Sequence, residues 1–427
     1  NGGVIEDALN GPTSVTIAAN ESFSAQQATD PDFDRAGRRN HIEFLGAHTY
    51  TGDTTVVGWG WFDNDQSFGT GDIVGAGGIG GIVPLGDRTI DNDIIIADSS
   101  INSTPLALRM EADPTGGTSS LTLNGDIVQN NRSPAETNKI MALFGGLDVT
   151  FNGDVVAGSS PRETGINWRG GDLIDDATNT VLDRTTITYS GSRTGLMGEV
   201  QMGHIVLGFD NDQAFGDPDA EGTFGSGTDQ ITVRNRILLD WQNSGLEAKG
   251  GPRDLAYDII LSPRSGPDAL DGTGGAEARI FGDLTLSGLL QVNDQEGLNV
   301  VEADDKLTLS GVIAPESVDS NNERLWLGGD GITLLDSTLE VELPDLVLGR
   351  NTLQPFNPSG VNPFPVDPIV SDPRADSGSG RVQIANGVSF TGSGFGGDPD
   401  GPEGPETAPL PRIILNKDVP LSPVDDV

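Results

Sequence analysis

The sequence predicts an all-β chain, a repetitive body built from a duplicated unit, and three observations carry that prediction. The first is an internal repeat: Phe62-Asp-Asn-Asp-Gln-Ser-Phe-Gly69 returns as Phe209-Asp-Asn-Asp-Gln-Ala-Phe-Gly216. A shared string of that kind points to a common unit, and its surroundings return with it in unchanged order. Thr49-Tyr-Thr-Gly52 answers to Thr188-Tyr-Ser-Gly191, and Arg88-Thr-Ile-Asp-Asn-Asp-Ile-Ile-Ile96 to Arg253-Asp-Leu-Ala-Tyr-Asp-Ile-Ile-Leu261. Leu121-Thr-Leu-Asn-Gly-Asp-Ile127 and Val149-Thr-Phe-Asn-Gly-Asp-Val155 answer to Leu284-Thr-Leu-Ser-Gly-Leu-Leu290 and Leu307-Thr-Leu-Ser-Gly-Val-Ile313. Trp168-Arg-Gly-Gly-Asp172 answers to Trp326-Leu-Gly-Gly-Asp330. The second observation is composition. With 60 Gly, 26 Pro, 5% aromatic and 35% hydrophobic residues in 427, the chain suits thin β layers that each bury a few small side chains. The third is local grammar: short Val/Ile/Leu/Thr segments with period-2 alternation, each closed by Gly, Asn or Asp.

Taken in order, residues 1–42 are a leading arm with one strand at Val15-Thr-Ile-Ala18. The first unit spans 43–182, with strands expected at Thr54–Val57, Ile73–Val74, Ile94–Ala97, Leu121–Leu123 and Val149–Phe151. Asn124-Gly125 and Asn152-Gly153 read as tight turns in a left-handed backbone. The second unit spans 183–338. A partial third unit or cap covers 339–391 and recovers strand character at Arg381–Ile384 and Val388–Phe390. Residues 392–427 are a Gly/Pro linker followed by one apolar strand, Arg412-Ile-Ile-Leu-Asn416. Ala135–Phe144 and the residues near Leu246 have helix-compatible composition, but no amphipathic stripe of three turns occurs.

There is no cysteine, so disulfides, thiol catalysis and Cys-ligated metals are excluded. A net charge of −40 repels nucleic acid and anionic membranes, and no apolar run of about 18 residues crosses a bilayer. Asn1 without a charged-then-apolar leader is read as a mature chain after removal of an export signal.

Tyr50-Thr-Gly-Asp-Thr-Thr-Val56 with Asn64-Asp-Gln-Ser-Phe-Gly69, and Ile205-Val-Leu-Gly208 with Asn211-Asp-Gln-Ala-Phe-Gly216 and Gly225-Ser-Gly-Thr228, resemble the autotransporter-associated β-strand repeat. That repeat occurs in passenger regions and other large exported bacterial proteins. The resemblance covers about 43–335 and implies a right-handed parallel β-helix at the bacterial cell surface or outside the cell. The strands here are more irregular than in the family, and no series of alternating ten-residue strands marks a translocator barrel. A stack of coils with strands about 4.8 Å apart suits the composition. Tandem antiparallel β-sandwich domains are the competing architecture.

Candidate sites are few. Gly75-Ala-Gly-Gly-Ile-Gly80 matches a dinucleotide fingerprint in letters, but Gly81-Ile-Val-Pro84 cannot open the helix that the fingerprint needs. Asp63, Asp65, Asp210 and Asp212 sit where a Ca²⁺ loop would place ligands, yet Phe68 and Phe215 stand where such a loop needs Gly. The competing reading is a turn in which Asp and Asn cap amides and both Phe pack inward. His41, His48 and His204 have no metal spacing, and Trp168 and Trp326 read as core or groove-lining packing rather than as a sugar-stacking platform. No G-x-S-x-G nucleophile motif is present.

The expected function is a non-enzymatic extracellular structural protein that assembles head to tail with copies of itself into a filament, with possible adhesion to surface glycans. The strands expected to pair between copies are Arg412, Ile413, Ile414, Leu415 and Asn416 at one end and Val15 and Ile17 at the other. The alternatives are a polysaccharide-active β-helix enzyme and a monomeric glycan-binding adhesin.

Overall fold

The structure is a computed structural model. It describes residues 4–9, 11–17, 41–57, 59–75, 81–96, 107–111, 119–129, 137–143, 147–158, 165–169, 172–175, 180–184, 186–203, 205–224, 231–240, 244–262, 277–293, 295–315, 324–343, 345–350, 381–386, 388–390 and 412–415. Contacts divide the chain into two compact units with interleaved segments. One holds 1–175, 181–200 and 213–235, the other 176–180, 201–212 and 236–427. Both are built from parallel sheets of short strands, as a β-solenoid requires; tandem antiparallel sandwiches are excluded.

In the first unit the chain winds repeatedly past three walls. The corner wall stacks Val15–Ile17, Thr54–Val56, Ile73–Gly75, Ile94–Ile96, Ile127–Gln129, Val155–Ala157 and Arg193–Thr194, all parallel. The wall before it stacks Arg88–Ile90, Ser119–Leu123, Leu147–Phe151 and Thr186–Tyr189. The wall after it stacks His41–Phe44, Trp59–Phe62, Gly81–Pro84, Ala107–Glu111, Thr137–Leu143 and Gly165–Arg169. Within the helix-compatible stretch, Thr137–Leu143 is a strand, because its place between two parallel neighbours overrides weak local propensity.

The second unit winds the same way. Its walls are Val206–Phe209, Gly245–Ala248, Glu277–Phe281, Gln295–Val300, Arg324–Gly329, Asp345–Arg350 and Arg412–Leu415; Arg253–Leu255, Leu284–Leu286, Lys306–Leu309, Ile332–Leu335 and Arg381–Ile384; and Arg236–Asp240, Asp258–Ser262, Leu289–Val292, Val312–Pro315, Glu340–Val341 and Ser389–Phe390. The strands of 339–391 thus continue the walls of this unit. Among the described residues, two separate two-stranded sheets stand outside the walls, Asp172–Asp175 with Thr180–Arg184 and the antiparallel hairpin Glu221–Phe224 with Ile231–Arg234.

Alternation explains the core. In Ser119–Leu123 the residues Leu121 and Leu123 are buried while Thr122 lies between them on the other face. In-register stacking then builds interior columns: Ile90, Leu123, Phe151 and Tyr189 in one unit, Leu255, Leu286, Leu309 and Leu335 in the other, all buried. Trp168 fills the space between Phe151 and Tyr189, with ring centroids 5.3 and 5.6 Å away. It is core, buried to 1%.

The glycines at the corners work differently from the sequence expectation. Gly125 and Gly153 are not among the glycines with positive φ. They are required because the coils touch there. A Cβ on Gly125 would strike the Asn92 carbonyl, one on Gly153 the Gly125 carbonyl, and one on Gly191 the Gly153 carbonyl. Gly71 stands in the same way on Gly52, and Gly52 on Thr13. Asn92 breaks the run and compensates: its Nδ2 donates to the Gly71 carbonyl at 2.6 Å and the Gly69 carbonyl at 3.2 Å. Close backbone approach, not turn handedness, selects Gly.

Candidate functional site

The repeated Phe-Asp-Asn-Asp-Gln string was the strongest signal in the sequence, and the structure gives it a position. In the first copy, Phe62 ends a strand and the chain turns through 63–69. Asn64 Oδ1 accepts the Gln66 amide at 3.0 Å, the Asn64 carbonyl accepts the Ser67 amide, and Gly69 closes the turn at φ +65°. Phe68 swings inward, buried beside Phe62 at 4.9 Å and Phe44 at 6.2 Å. The two aspartates reach to neighbouring segments. Asp63 Oδ1 accepts the Gly46 amide at 2.6 Å, and Asp65 Oδ1 accepts the Thr89 amide at 3.0 Å.

Thr89 belongs to Arg88–Ile90, which is the outermost strand of its sheet. Asp65 therefore supplies an acceptor where the preceding strand of a ladder would stand. An uncovered edge offers unpaired amides to other chains, so a side-chain cap of this kind is protective.

In the second copy the boundary between the compact units falls between Asp212 and Gln213. On one side, the Asp212 carbonyl accepts the Tyr257 hydroxyl at 3.2 Å, and Asp212 Oδ1 lies 3.8 Å from Arg253 Nη1. Arg253–Leu255 is again the outermost strand of its sheet. Asp65 and Asp212 hold matching places in the motif, as do Arg88 and Arg253, so each copy sets its second aspartate against the strand that begins a new wall. On the other side, Ala214 and Phe215 are buried and Gly216 closes the turn at φ +101°. Buried Arg193 gathers this half: its Nη1 donates to the Gly198 carbonyl at 3.0 Å, Asn235 Oδ1 at 3.2 Å and the Phe215 carbonyl at 3.5 Å.

A second polar feature runs down the first unit. At five successive corners the residue after the Gly position is acidic, Asp53, Asp72, Asp93, Asp126 and Asp154, and at the next it is Ser192. Asp93 Oδ1 accepts the Asp126 amide at 2.8 Å, Asp126 Oδ1 the Asp154 amide at 2.9 Å, and Asp154 Oδ1 the Ser192 amide at 2.8 Å. Beside them Asn152 Nδ2 donates to Asn124 Oδ1, and Asn124 Nδ2 to Asp91 Oδ1. Burial, and then the charges of Asp53 and Asp93, raise the Asp72 carboxyl above the usual Asp value. Burial also pushes the Tyr189 phenol up, while its oxygen accepts the Val155 amide at 3.1 Å.

Of the residues considered for Ca²⁺, Asp63 and Asp65 are engaged with backbone amides, Asp212 is exposed beside Arg253, and Asp210 is partly exposed. Among the described residues no group of three or more His, Asp or Glu is placed to hold a metal ion. Of the residues considered for assembly, Val15 and Ile17 lie in the first strand of the corner wall, paired with Thr54 and Val56. Arg412, Ile413, Ile414 and Leu415 form the last strand of their wall, paired with Asp345, Leu346, Val347 and Leu348. Asn416, His204, the side chain of Trp326 and most of the glycine-rich 75–80 stretch lie outside the described residues. The sequence offers Asp63 and Asp65 as amide caps but not the amides that they cap, which lie 17 and 24 residues away.

No protein-family model, curated protein or solved structure matches this chain.

Proposed function

We propose that this chain is a non-enzymatic structural protein of the bacterial exterior that assembles head to tail with copies of itself into a surface filament. The observation that carries this reading is the position of Arg412–Leu415. This apolar strand, far along the chain from its partner Asp345–Arg350, occupies the outer edge of a parallel sheet. A strand that closes an edge in its own subunit can close the corresponding edge in a neighbour, as in strand exchange and strand addition. Parallel walls favour such addition in one direction only, which gives open filaments rather than closed pairs.

Two features support it. The chain caps with Asp65 the edge where an internal wall begins, so edge pairing is a property that this sequence controls. The repeat grammar also resembles that of exported passenger regions. Adhesion to glycans would be a property of the assembled surface, and Ca²⁺ has no role in this reading.

The test is negative-stain microscopy of the full chain beside a version ending at Pro411. Fibres from the full chain and none from the truncated one are expected. Monomers from both would sink the reading.

A further inference from the structure

The segment holding residues 4–9 and 11–13 lies against 48–52 and is fastened at two points. At the first, the Ile5 N–H donates to His48 Nδ1 at 3.2 Å, and the Ile5 carbonyl accepts the Thr49 N–H at 3.0 Å. At the second, Asp7 Oδ1 accepts the Thr13 and Thr51 amides at 2.9 and 2.8 Å, and Asp7 Oδ2 accepts the Thr51 hydroxyl at 2.7 Å. His48 itself is 5% exposed, with Phe44 edge-on to its ring at 5.7 Å, and its own amide donates to the Gln66 carbonyl.

An imidazole nitrogen that accepts an amide proton carries no proton of its own, so His48 is neutral with its hydrogen on Nε2. We propose that this N-terminal segment is a pH-sensitive strap, latched by neutral His48 and let go when Nδ1 takes up a proton. Protonation turns the acceptor into a donor facing the Ile5 N–H, and two donors then oppose each other in a site with little access to water.

The titratable groups on the segments around the ring are Glu6 and Asp7 on the strap, Glu43 on His41–Phe44, Tyr50, and Asp63 on the turn. Burial lowers the imidazole below its usual value, and the charge of Asp63 offsets this in part. The sign follows: the folded state binds the proton less readily than the unfolded chain. The latch is therefore fully stabilising above about pH 6.5 and weakens as pH falls below it. Asp7 is held below the ordinary carboxylate range, chiefly by the Thr13 and Thr51 amides, so it stays ionised while His48 titrates. Release is thus a step of its own. It frees the Ile5 end of the strap, while Asp7 keeps its hold on Thr13 and Thr51 beside the start of the corner wall. This inference does not depend on the filament reading.

The experiment is hydrogen exchange of the full chain at pH 7.5 and 5.5, expressed as protection factors for peptides covering 4–13 and 45–52, with 284–313 as an internal control. As pH falls from the ordinary imidazole value toward the lowered one, the strap amides should lose protection by up to about tenfold per pH unit, while the control does not change. His48→Gln cannot titrate, so its strap should show equal protection at both pH values. Persistence of the pH effect in His48→Gln, or its absence in the unaltered chain, overturns the proposal. Nitrogen NMR of the unaltered chain gives a check independent of any variant. A proton on Nδ1 at neutral pH would contradict the latch, and one on Nε2 supports it.

Discussion

The corners of the two units solve one crowding problem in two ways. In the first unit the corner reads Asn-Gly-Asp at 124–126 and 152–154, and the acidic side chain reaches the amide of the next coil. In the second it reads Ser-Gly-Leu at 287–289 and Ser-Gly-Val at 310–312, and the residue after Gly opens the next strand directly. There the bond from coil to coil is made by backbone, with the Val312 amide on the Gly288 carbonyl and the Glu340 amide on the Gly311 carbonyl. Both designs keep Gly at the contact. A Cβ on Gly311 would strike the Gly288 carbonyl just as one on Gly153 would strike Gly125. Steric demand is therefore common to the two units, whereas the aspartates that cap the amide of the next coil stand at these corners of the first, and the second gathers its carboxylates elsewhere, with Glu302, Asp283 and Glu247 around Asp305.

The largest effect should come from the shared element. Gly153→Val in the first unit and Gly311→Val in the second should each destabilise by ~3 kcal/mol, the upper end for overpacking against backbone that cannot yield. Urea unfolding followed by a probe in each unit would measure it. A loss below about 1 kcal/mol at either site would show that the coils can separate locally, and the comparison would fail at its common term.

A smaller effect should separate the units. Asp126→Ala removes the acceptor for the Asp154 amide, at a cost of about 1–2 kcal/mol, while Asp126→Asn keeps an acceptor and should recover most of it. Ser287→Ala in the second unit removes only an exposed hydroxyl bond to Asp254 and should cost about 0.5 kcal/mol or less. Equal losses at the two positions would mean that the acidic column has no special part in holding coils together.

How much of this was legible in the sequence follows from the range of each interaction. Leu-Thr-Leu at 121–123, 284–286 and 307–309 announces a half-buried strand by itself, because alternation is decided within three residues. Gly after Asn or Ser announces a corner for the same reason. The cause of the glycine, a carbonyl one coil below, lies in a different part of the chain and was misread as a demand for left-handed backbone. Asp65 shows the limit most clearly. Its local pattern favours an amide cap over a cation loop, because Phe68 stands where the loop needs Gly, but the amide that it caps, Thr89, is a coil away. The hairpin at Glu221–Phe224 and Ile231–Arg234 escaped notice because its strands carry the same residue types as the parallel ones.

The smallest expected effect is a pH dependence at the carboxylate column of the first unit. Asp72 is partly buried, and the charges of Asp53 and Asp93 in the same column raise its carboxyl further. A native carboxyl that holds its proton more tightly than the unfolded chain makes folding less favourable as pH rises from the ordinary Asp value through the raised one. Above that window the whole penalty is present. Asp72→Asn removes the charge and leaves the backbone bonds of residue 72 to Thr54 and Asp53 available. The variant should therefore be the more stable at pH 7, and its advantage should shrink toward zero as pH approaches about 3.8. Thermal unfolding of both proteins across pH 3.5–7 reads the difference directly, because contributions from Asp7 and His48 are common to both and cancel. An advantage that stays constant with pH would assign the effect to packing at the corner and remove charge repulsion from the account of the first unit's aspartate column.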